Sequence, residues 1–308
     1  MQSPRIAIIV LFLPWIIQSE SHGADKTEQN LIRATENYEN AMEKYRKAVS
    51  AALDQAEVKA RQAGPDQVAA VDDQRKLFDK FGCTPALCNS SLWSQRAAAH
   101  ERMVKACQIA LRDYTRAKED TKAEEVRDKL INYWPAFLDD PSVGGWKPFG
   151  SPRMEVQDGI VTLTASRGLS GLITKRDDLS SATLDFELAG SYDVNAWLGA
   201  QITQTKGQPI GVTCQIRAEG GGVKAGFWSV KYELEEDDGR KFLAVPHEFF
   251  TESIRCFHSE FVVQVWVNDK MTDNVGGQTH LQYPGATAIL VEKGVLVIRS
   301  ASQKGVAK

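Results

Sequence analysis

The sequence has almost no excess charge of either sign. Its 37 lysines and arginines nearly balance its 40 aspartates and glutamates, and the formal net charge is −3 at pH 7. A protein that binds nucleic acid needs a basic patch, because it must neutralise phosphates. The even mixture of charges therefore argues against a nucleic-acid partner.

The sequence also lacks the short motifs of metal, nucleotide and serine-hydrolase chemistry. The five histidines are scattered, with no H-x-x-x-H or H-x-H pair, and the five cysteines form no C-x-x-C. Zinc sites use such closely spaced pairs. Neither G-x-S-x-G nor a phosphate-binding P-loop occurs. We therefore expect neither a metal nor another cofactor.

Long apolar runs are missing after the first residues. Residues 6–17 form an apolar run that is too short to span a bilayer. Ser21 and Gly23 then suit the −3 and −1 positions of a cleavage site before Ala24. This pattern predicts a signal peptide over residues 1–24 and a secreted or periplasmic protein with no membrane span after its removal. An uncleaved anchor is the alternative, which the polar residues after the run disfavour.

Cysteine is scarce, and the number of cysteines is odd. Export permits disulfides, but at least one of the five thiols must stay free or pair between chains. Cys83 and Cys88 share a short predicted loop over residues 82–92, and we expect these two to be bridged. Cys214 lies on an inward strand face, either as a buried thiol or paired with Cys256.

Residues 25–134 have the apolar spacing of helices. Apolar side chains recur every three, four or seven residues over residues 31–56, and charged residues fill the other positions. Gly64 and Pro65 end this helix, because glycine suits the position after a helix and proline cannot continue it. The order of one long and one short helix then repeats, which predicts helical hairpins or a coiled coil. One hypothesis makes these helices the working part, through self-association.

Residues 135–145 separate two compositions. The stretch holds two prolines, two glycines and two aspartates without periodicity, as is typical of a linker. After it, alanine, lysine and glutamate give way to β-branched and aromatic residues with frequent glycines. This composition predicts an all-β sandwich or barrel over residues 146–303. The predicted fold class is α+β in two domains, with helices followed by an antiparallel β-sandwich.

Residues 183–217 show the strand pattern most clearly. Three segments alternate strictly between apolar and polar positions. The apolar positions are Leu184, Phe186 and Leu188, then Leu198, Ala200 and Ile202, then Ile210, Val212, Cys214 and Ile216. Period-two alternation indicates half-buried strands. Three in succession, separated by turns, predict one antiparallel sheet with one face in a core.

The second, polar face of that predicted sheet is the candidate binding surface. Its residues are Glu187, Trp197, Gln201, Thr213, Gln215, Arg217, Gln264 and Trp266. A flat aromatic ring stacks on the apolar face of a sugar, and amides or arginine bind sugar hydroxyls. This mixture favours a saccharide or a cell-envelope glycan as partner. The alternative is a solvated face, or a face packed against the helices with its tryptophans buried.

Two carboxylates are the candidates for catalysis. Asp185 and Glu187 lie on the same face of one predicted strand, at a separation of about 7 Å. That distance is compatible with the acid and base of a glycosidase. The same pattern is also the ordinary outer face of a strand.

Several segments of the C-terminal half resemble a known family. They are GWKPF, DGIVTLTASRGLSGLITKRD, TLDFELAG with VNAWLGAQ, GVTCQIR, VVQVWVND and ATAILVEKGVLVIRSA. Together they resemble the secreted 3-keto-disaccharide (3-keto-glycoside) hydrolase domain family. The resemblance implies a concanavalin-like, laminin-G-like jelly-roll sandwich. The alanine-rich helical region is similar to those of secreted planctomycete-type bacterial proteins.

The chain departs from the family pattern at its charged positions. The family pattern resembles N-S-G-[IV]-F-[LF]-R on one strand and G-[YF]-E-[VY]-Q-[IV]-x-D on the next. Asn195 and Gln215 are kept, but Gln201, Thr213 and Ala218 stand at the arginine, glutamate and aspartate positions. We therefore expect a lectin-like or structural protein that binds a saccharide without cleaving it. The alternative implied by the resemblance is a hydrolase or lyase acting on 3-keto-glycosides.

Overall fold

The computed structural model describes most of the chain. The described residues are 18–165, 168–177, 182–205, 208–219, 222–229, 247–257, 262–267, 269–276 and 285–305. Residues 1–17, the larger part of the predicted signal peptide, lie outside them. Within the described ranges, none of the helices combines the length and the apolar character that a bilayer crossing needs.

The N-terminal part of the described chain forms four α-helices. They are α1 (Gln18–Ala63), α2 (Pro65–Phe81), α3 (Ser90–Ala117) and α4 (Asp120–Tyr133). The break between α1 and α2 lies where the sequence predicts it, with Gly64 at a φ of 125° and proline in the first turn of α2. Asn89 caps α3, because its side-chain oxygen accepts a hydrogen bond from the Ser91 amide at 3.0 Å.

The two long helices, α1 and α3, pack along each other and form the centre of the helical region. The short helices pack beside them at different levels. At one level, Leu31 of α1, Cys107 of α3 and Val126 of α4 share an apolar cluster. At the other, Val49 of α1 packs in a cluster with Phe78 of α2. The apolar stripe of α1 is therefore covered by different helices along its length.

The predicted linker, residues 135–145, is not a free connection. It forms two short 3-10 helices, Ala136–Asp139 and Pro141–Val143. Leu138 is buried in the main core of the C-terminal half, and Phe137 packs against the same core. This segment is part of the sandwich structure, because its apolar side chains complete that core.

The C-terminal half of the described chain forms thirteen strands, and their pairings are antiparallel. They are β1 (Trp146–Phe149), β2 (Arg153–Gln157), β3 (Ile160–Thr164), β4 (Ser170–Thr174), β5 (Ala182–Gly190), β6 (Asn195–Thr205), β7 (Gln208–Glu219), β8 (Gly222–Ser229), β9 (Phe250–Phe257), β10 (Val262–Val267), β11 (Lys270–Gly276), β12 (Ala286–Lys293) and β13 (Val295–Gly305). Sequence reasoning missed β1 and β11.

These strands form two sheets that pack face to face. The six-stranded sheet has the order β1-β4-β12-β6-β7-β8, and the seven-stranded sheet has the order β11-β10-β9-β5-β13-β3-β2. The main core lies between them and takes Leu184 and Phe186 from β5, Leu198 from β6 and Ile289 from β12. Four helices followed by two packed antiparallel sheets confirm the predicted α+β fold class.

The prediction of one sheet over residues 183–217 is wrong in one respect. β6 and β7 pair with each other, but β5 belongs to the opposite sheet, between β9 and β13. Residues 191–194 cross from one sheet to the other, and Val194 is buried in the core there. Strands of either sheet bury one face in the same core, so alternation does not reveal which sheet a strand joins.

The helical region packs on the outer face of the seven-stranded sheet. Leu77 and Phe81 of α2 share an apolar cluster with Ala189 of β5 and Val297 of β13. Phe249, which precedes β9, packs edge to face on Phe81 with ring centroids 5.5 Å apart. The outer face of the seven-stranded sheet is therefore partly covered by helix.

A buried polar cluster lies beside this apolar contact. Arg96 of α3 donates hydrogen bonds to the carboxylate of Glu155 on β2 and to the carbonyl of Gly82, the latter at 2.6 Å. The Thr84 amide donates to the same carboxylate at 2.7 Å, and the Thr84 hydroxyl also binds it. Tyr45 of α1 reaches the Thr84 hydroxyl at 2.6 Å. Both halves of the chain thus share one set of buried hydrogen bonds.

Candidate functional site

The six-stranded sheet brings together five of the predicted binding residues. In the pairing of β6 with β7, Asn195 lies opposite Arg217, Trp197 opposite Gln215, and Gly199 opposite Thr213. Directly paired residues of an antiparallel ladder share a face of the sheet. This outer face of β6 and β7, with the adjoining positions of β12, is hereafter the Asn195 face.

Gln201 follows on β6, next to an irregularity in the β6–β7 pairing between Ala200 and Thr203. For Gln201, as for Thr213, Gln215 and Arg217, the structure describes the backbone position and not the side chain. These residues remain predicted ligand contacts on the evidence of their register.

Three of the predicted binding residues lie elsewhere. Gln264 and Trp266 are on β10 and Glu187 is on β5, and both strands belong to the seven-stranded sheet. The predicted gathering of all eight residues on one polar face is therefore wrong. The crossing at residues 191–194 separates β5 from β6, and β10 joins the sheet of β5 through β9, so the polar faces of the two sheets point away from each other.

Trp197 is a packing residue in this structure. Its side chain is 7% exposed and lies in an apolar cluster with Ile173, Ala288 and Leu290. Leu290 of β12 is its direct neighbour across the sheet. The open, stacking tryptophan expected from the sequence is thus not what the structure contains. Trp197 is buried, as the alternative expected, but its cluster comes from its own sheet and not from the helices.

A carboxylate that sequence reasoning missed adjoins Asn195. The Asn195 side-chain amide donates a hydrogen bond to Oε2 of Glu292 on β12, at 2.7 Å. Glu292 is exposed, whereas Asn195 is half-buried. Alternation along β12 puts Glu292 on the same face as Ala286, Ala288 and Leu290. This signal in the sequence could have identified Glu292. The Asn195 face therefore has an amide and an acidic oxygen side by side.

The end of this face is shaped by a tight turn at Gly294. Its φ is +74°, and a Cβ added there would approach the Ser191 hydroxyl to 2.6 Å and the Val194 Cα to 2.8 Å. Only glycine fits so close a contact in this conformation. Beside the turn, Lys293 lies 3.8 Å from the carboxylate of Asp193. This turn locks the 191–194 crossing against the β12–β13 connection.

The two candidate catalytic carboxylates lie on the outer face of the seven-stranded sheet. Asp185 accepts a hydrogen bond from the Ser253 hydroxyl at 2.7 Å, and Glu187 forms an ion pair with Arg299 at 2.5 Å. Arg299 in turn lies over the Phe249 ring, 3.6 Å from its centroid. The fold places both carboxylates on a different sheet from Asn195, and each has a partner on a neighbouring strand or loop.

Another carboxyl group lies inside the sandwich. Glu252 of β9 is fully buried, between Phe250 and Ile254, which both belong to the main core. It lies opposite Phe186 of β5. In the segment FTESI, residues 250–254, alternation puts Glu252 on the same face as Phe250 and Ile254. Its inward position was therefore predictable from the sequence. An inward carboxyl requires polar partners, because burying a charge alone is costly.

The predicted disulfide between Cys83 and Cys88 is not formed. Both are free, buried thiols. Cys83 packs under α2 with Ala189 and Val297 of the seven-stranded sheet, whereas Cys88 packs in the cluster around Val49 of α1. The loop turns the two side chains into separate apolar clusters. Burial also raises the pKa of the Cys83 thiol to about 12.

Metal binding finds no support in the part of the chain that is described. Those residues contain no group of three or more histidine, cysteine, aspartate or glutamate side chains that could hold an ion.

A family model decides the relationship of this chain to known proteins. The model for the 3-keto-alpha-glucoside-1,2-lyase-like domain matches residues 133–304, more than half of the chain. The chain belongs to the 3-keto-alpha-glucoside-1,2-lyase-like domain family. The match begins just before the 3-10 helices that carry Leu138, so the family domain includes the segment that the sequence suggested as a linker. No curated protein matches the chain.

Several solved structures are similar to the sandwich of this family member. A candidate glycosyl hydrolase from Parabacteroides distasonis shares 12% identity over 53% of this chain and 89% of its own, with a TM-score of 0.41. The carbohydrate-binding module CBM66 from Bacillus subtilis shares 11% identity over 52% and 95%, with a TM-score of 0.39. A legume lectin-like domain from Entamoeba histolytica shares 14% identity over 53% and 90%, with a TM-score of 0.37.

Proposed function

We propose that this protein binds a saccharide on the Asn195 face and does not cleave it. The observation that carries the proposal is the hydrogen bond between Asn195, a residue kept from the family pattern, and Glu292. An amide and a carboxylate together offer donors and acceptors to adjacent sugar hydroxyls. Membership of a family described by its action on a glucoside supports a sugar as the ligand class.

The absence of cleavage rests on the residues at the family's charged positions. Gln201, Thr213 and Ala218 replace an arginine, a glutamate and an aspartate. Amides and hydroxyls bind sugar hydroxyls, but they are poor general acids and bases near neutral pH. Asp185 and Glu187 lie on the other sheet, so neither carboxylate faces a sugar bound beside Asn195. Their location also supports binding without cleavage.

One observation favours the alternative, a hydrolase or lyase of the 3-keto-glycoside type. Glu292 is an exposed carboxylate next to the retained Asn195, and general acid–base chemistry on a glycoside needs a carboxyl group within reach of the bond. Glu292, rather than Asp185 or Glu187, is the residue on which this second candidate function depends.

The two functions separate in one experiment. Neutral disaccharides and their 3-keto derivatives are titrated into the full chain by calorimetry, and released sugar is followed by chromatography. We expect weak binding and no release. Asn195→Ala and Glu292→Gln should each raise the Kd about 2–10-fold, as the loss of one or two hydrogen bonds predicts.

The matched control is Asp185→Asn, which changes an outer-face carboxylate of the other sheet and should leave the Kd unchanged. Release of free sugar that disappears in Glu292→Gln would establish the enzyme instead. Binding that is unaffected by Asn195→Ala and Glu292→Gln would remove the Asn195 face from consideration.

Export and partners belong to the same proposal. The apolar run before Ala24 supports a secreted or periplasmic location, and a cell-envelope glycan is then an accessible ligand. N-terminal sequencing of exported protein should begin near Ala24, and retention of residues 6–17 would contradict it.

Self-association through the helices is tested by the molar mass in light scattering over a range of concentrations.

A further inference from the structure

A cavity lies between α2 and the sandwich, beside the 191–194 crossing. Its volume is about 570 Å³, which falls within the range of small-molecule sites. One wall comes from α2 and the loop after it, and the other from residues near β3, the 191–194 crossing and the Gly294 turn. We call this cavity the interdomain cleft. Neither Asn195 nor Glu292 is among the residues that line it.

The apolar part of the cleft is built from small side chains. Ala69 and Ala70 of α2 are exposed, and Pro85 and Ala86 continue this wall beyond the helix. Because alanine side chains fill so little space, a gap is left between this part of α2 and the sandwich. The cleft is therefore a consequence of sequence, and a larger side chain at Ala70 would fill it.

The polar part of the cleft is held rigidly. Asp73 of α2 is bound by Nε2 of His247 at 2.7 Å and lies 3.4 Å from the Tyr192 amide. The Ser191 hydroxyl donates to Asp193 at 2.8 Å and accepts from the Val295 amide at 2.9 Å. Groups fixed in place before binding lose little conformational entropy when a ligand arrives.

Tyr192 supplies an aromatic surface at the mouth of the cleft. Its side chain is 48% exposed. Its ring stands edge-on to the ring of His247, with centroids 5.1 Å apart and an interplanar angle of 90°. The phenol is thus anchored on one side while much of its surface is open, which is the geometry for packing against the apolar face of a ligand.

The charges of the lining restrict the ligand class. The lining carboxylates are Asp72, Asp73 and Asp193. Lys76 pairs with Asp72 at 2.7 Å and Lys293 lies 3.8 Å from Asp193, so three carboxylates face two lysines. Excess carboxylate disfavours an anionic ligand. A carboxylate has about four acceptor positions, so oxygens that already bind His247 or Ser191 retain capacity for hydroxyl donors. A neutral molecule rich in hydroxyls satisfies these acceptors without adding charge.

We propose that the interdomain cleft is a second binding site, for a neutral polyhydroxylated molecule of mono- or disaccharide size. Its walls come from both halves of the chain, so the site exists only when the helices are docked on the sandwich. It is independent of the Asn195 face and stands whether or not that face binds sugar.

The test uses the full chain with trehalose as the neutral probe and glucuronate as the anionic one, by saturation-transfer NMR and calorimetry. Trehalose should bind and glucuronate should bind more weakly. Ala70→Trp should fill the cleft and raise the Kd for trehalose by about tenfold or more. Ala98→Trp, at an exposed alanine of α3, is the matched control and should bind as the wild type does.

Tyr192→Ala gives a second measurement that does not depend on the α2 variant folding, and it should also weaken trehalose binding. Because trehalose could also bind the Asn195 face, the two cleft variants are compared in an Asn195→Ala/Glu292→Gln background, in which binding on that face is weakened. In that background trehalose should still bind, and either Ala70→Trp or Tyr192→Ala should weaken the binding. Trehalose binding that is absent from that background, or that survives both cleft substitutions there, would overturn the proposal.

Discussion

Arg96 of α3 and Glu155 of β2 form an ion pair with an N–O distance of 2.5 Å, and each side chain is only 4% exposed. The pair joins the helical region to the sandwich across a buried interface. Removing one member of such a pair leaves an uncompensated buried charge. The docking of the two halves therefore depends on both residues being present together.

We expect Glu155→Leu to lower the free energy of unfolding by about 3–5 kcal/mol, because Arg96 would remain buried without its carboxylate. Urea denaturation followed by circular dichroism measures this. The double variant Arg96→Met/Glu155→Leu should recover much of the loss, since no charge is then left behind. Glu43→Gln, which breaks the exposed pair with Lys47, is the control and should change stability little. Equal effects from the buried and exposed pairs would contradict the prediction.

His100 of α3 makes stability depend on pH. Burial lowers its pKa to about 4, and the positive charge of Arg96 acts in the same direction. In the unfolded chain the pKa is about 6.5. Between these values the unfolded state binds more protons, so stability rises with pH. The contribution is fully present above about pH 6.5 and is lost as the pH falls toward 4.

The variant His100→Phe should remove this dependence. The difference in free energy of unfolding between wild type and variant should shift by about 2–3 kcal/mol from neutral pH to about pH 4, allowing for the partial exposure of the ring. Gln108→Ala, at an exposed position of α3, should keep the wild-type pH profile. A difference that stays constant with pH would show that His100 does not titrate in this window.

Trp197 should contribute to stability more than to binding. Because it is nearly fully buried beside Leu290, Trp197→Ala should lower the free energy of unfolding by about 3–5 kcal/mol. Ile131→Ala, at an exposed position of α4, should change it by less than about 0.5 kcal/mol. Thermal and urea denaturation measure both. A stable Trp197→Ala variant with lost saccharide binding would restore the stacking role expected from the sequence.

The Cys83 thiol should be unreactive in the folded protein. It is buried and its pKa is raised to about 12, so little thiolate exists near neutral pH. Iodoacetamide should label Cys83 in urea but not in native buffer, and peptide mapping without reductant should recover Cys83 and Cys88 as separate thiol peptides. A linked peptide would show that the bridge expected from their short loop does form.

Local pattern in the sequence determined the type of the long helices and of most strands, although it missed β1 and β11. The apolar stripe of residues 31–56 requires a helix with one buried face, and Gly64 with Pro65 must interrupt it. Strict alternation around Leu184 and Leu198 likewise requires strands with one buried face. These features were predictable because they depend on backbone geometry and on spacing along the chain alone.

The location of the candidate sites depended on contacts between distant residues. Alternation placed Glu187 and Trp197 on polar faces, but the crossing at residues 191–194 assigned them to different sheets. The neighbour of Asn195 is Glu292, and 96 intervening residues separate the two in the sequence. No local pattern specifies which strands become neighbours, because either sheet of a sandwich buries its apolar face in the same core.

The sequence by itself determined that a helical region precedes an antiparallel sandwich, and its motifs indicated the family. Only the tertiary structure decided that Arg96 meets Glu155, that Trp197 is covered, and that Cys83 and Cys88 enter separate clusters. The physical reason is that periodicity reports whether a side chain is buried, whereas the identity of what buries it is set by packing between elements far apart in the chain.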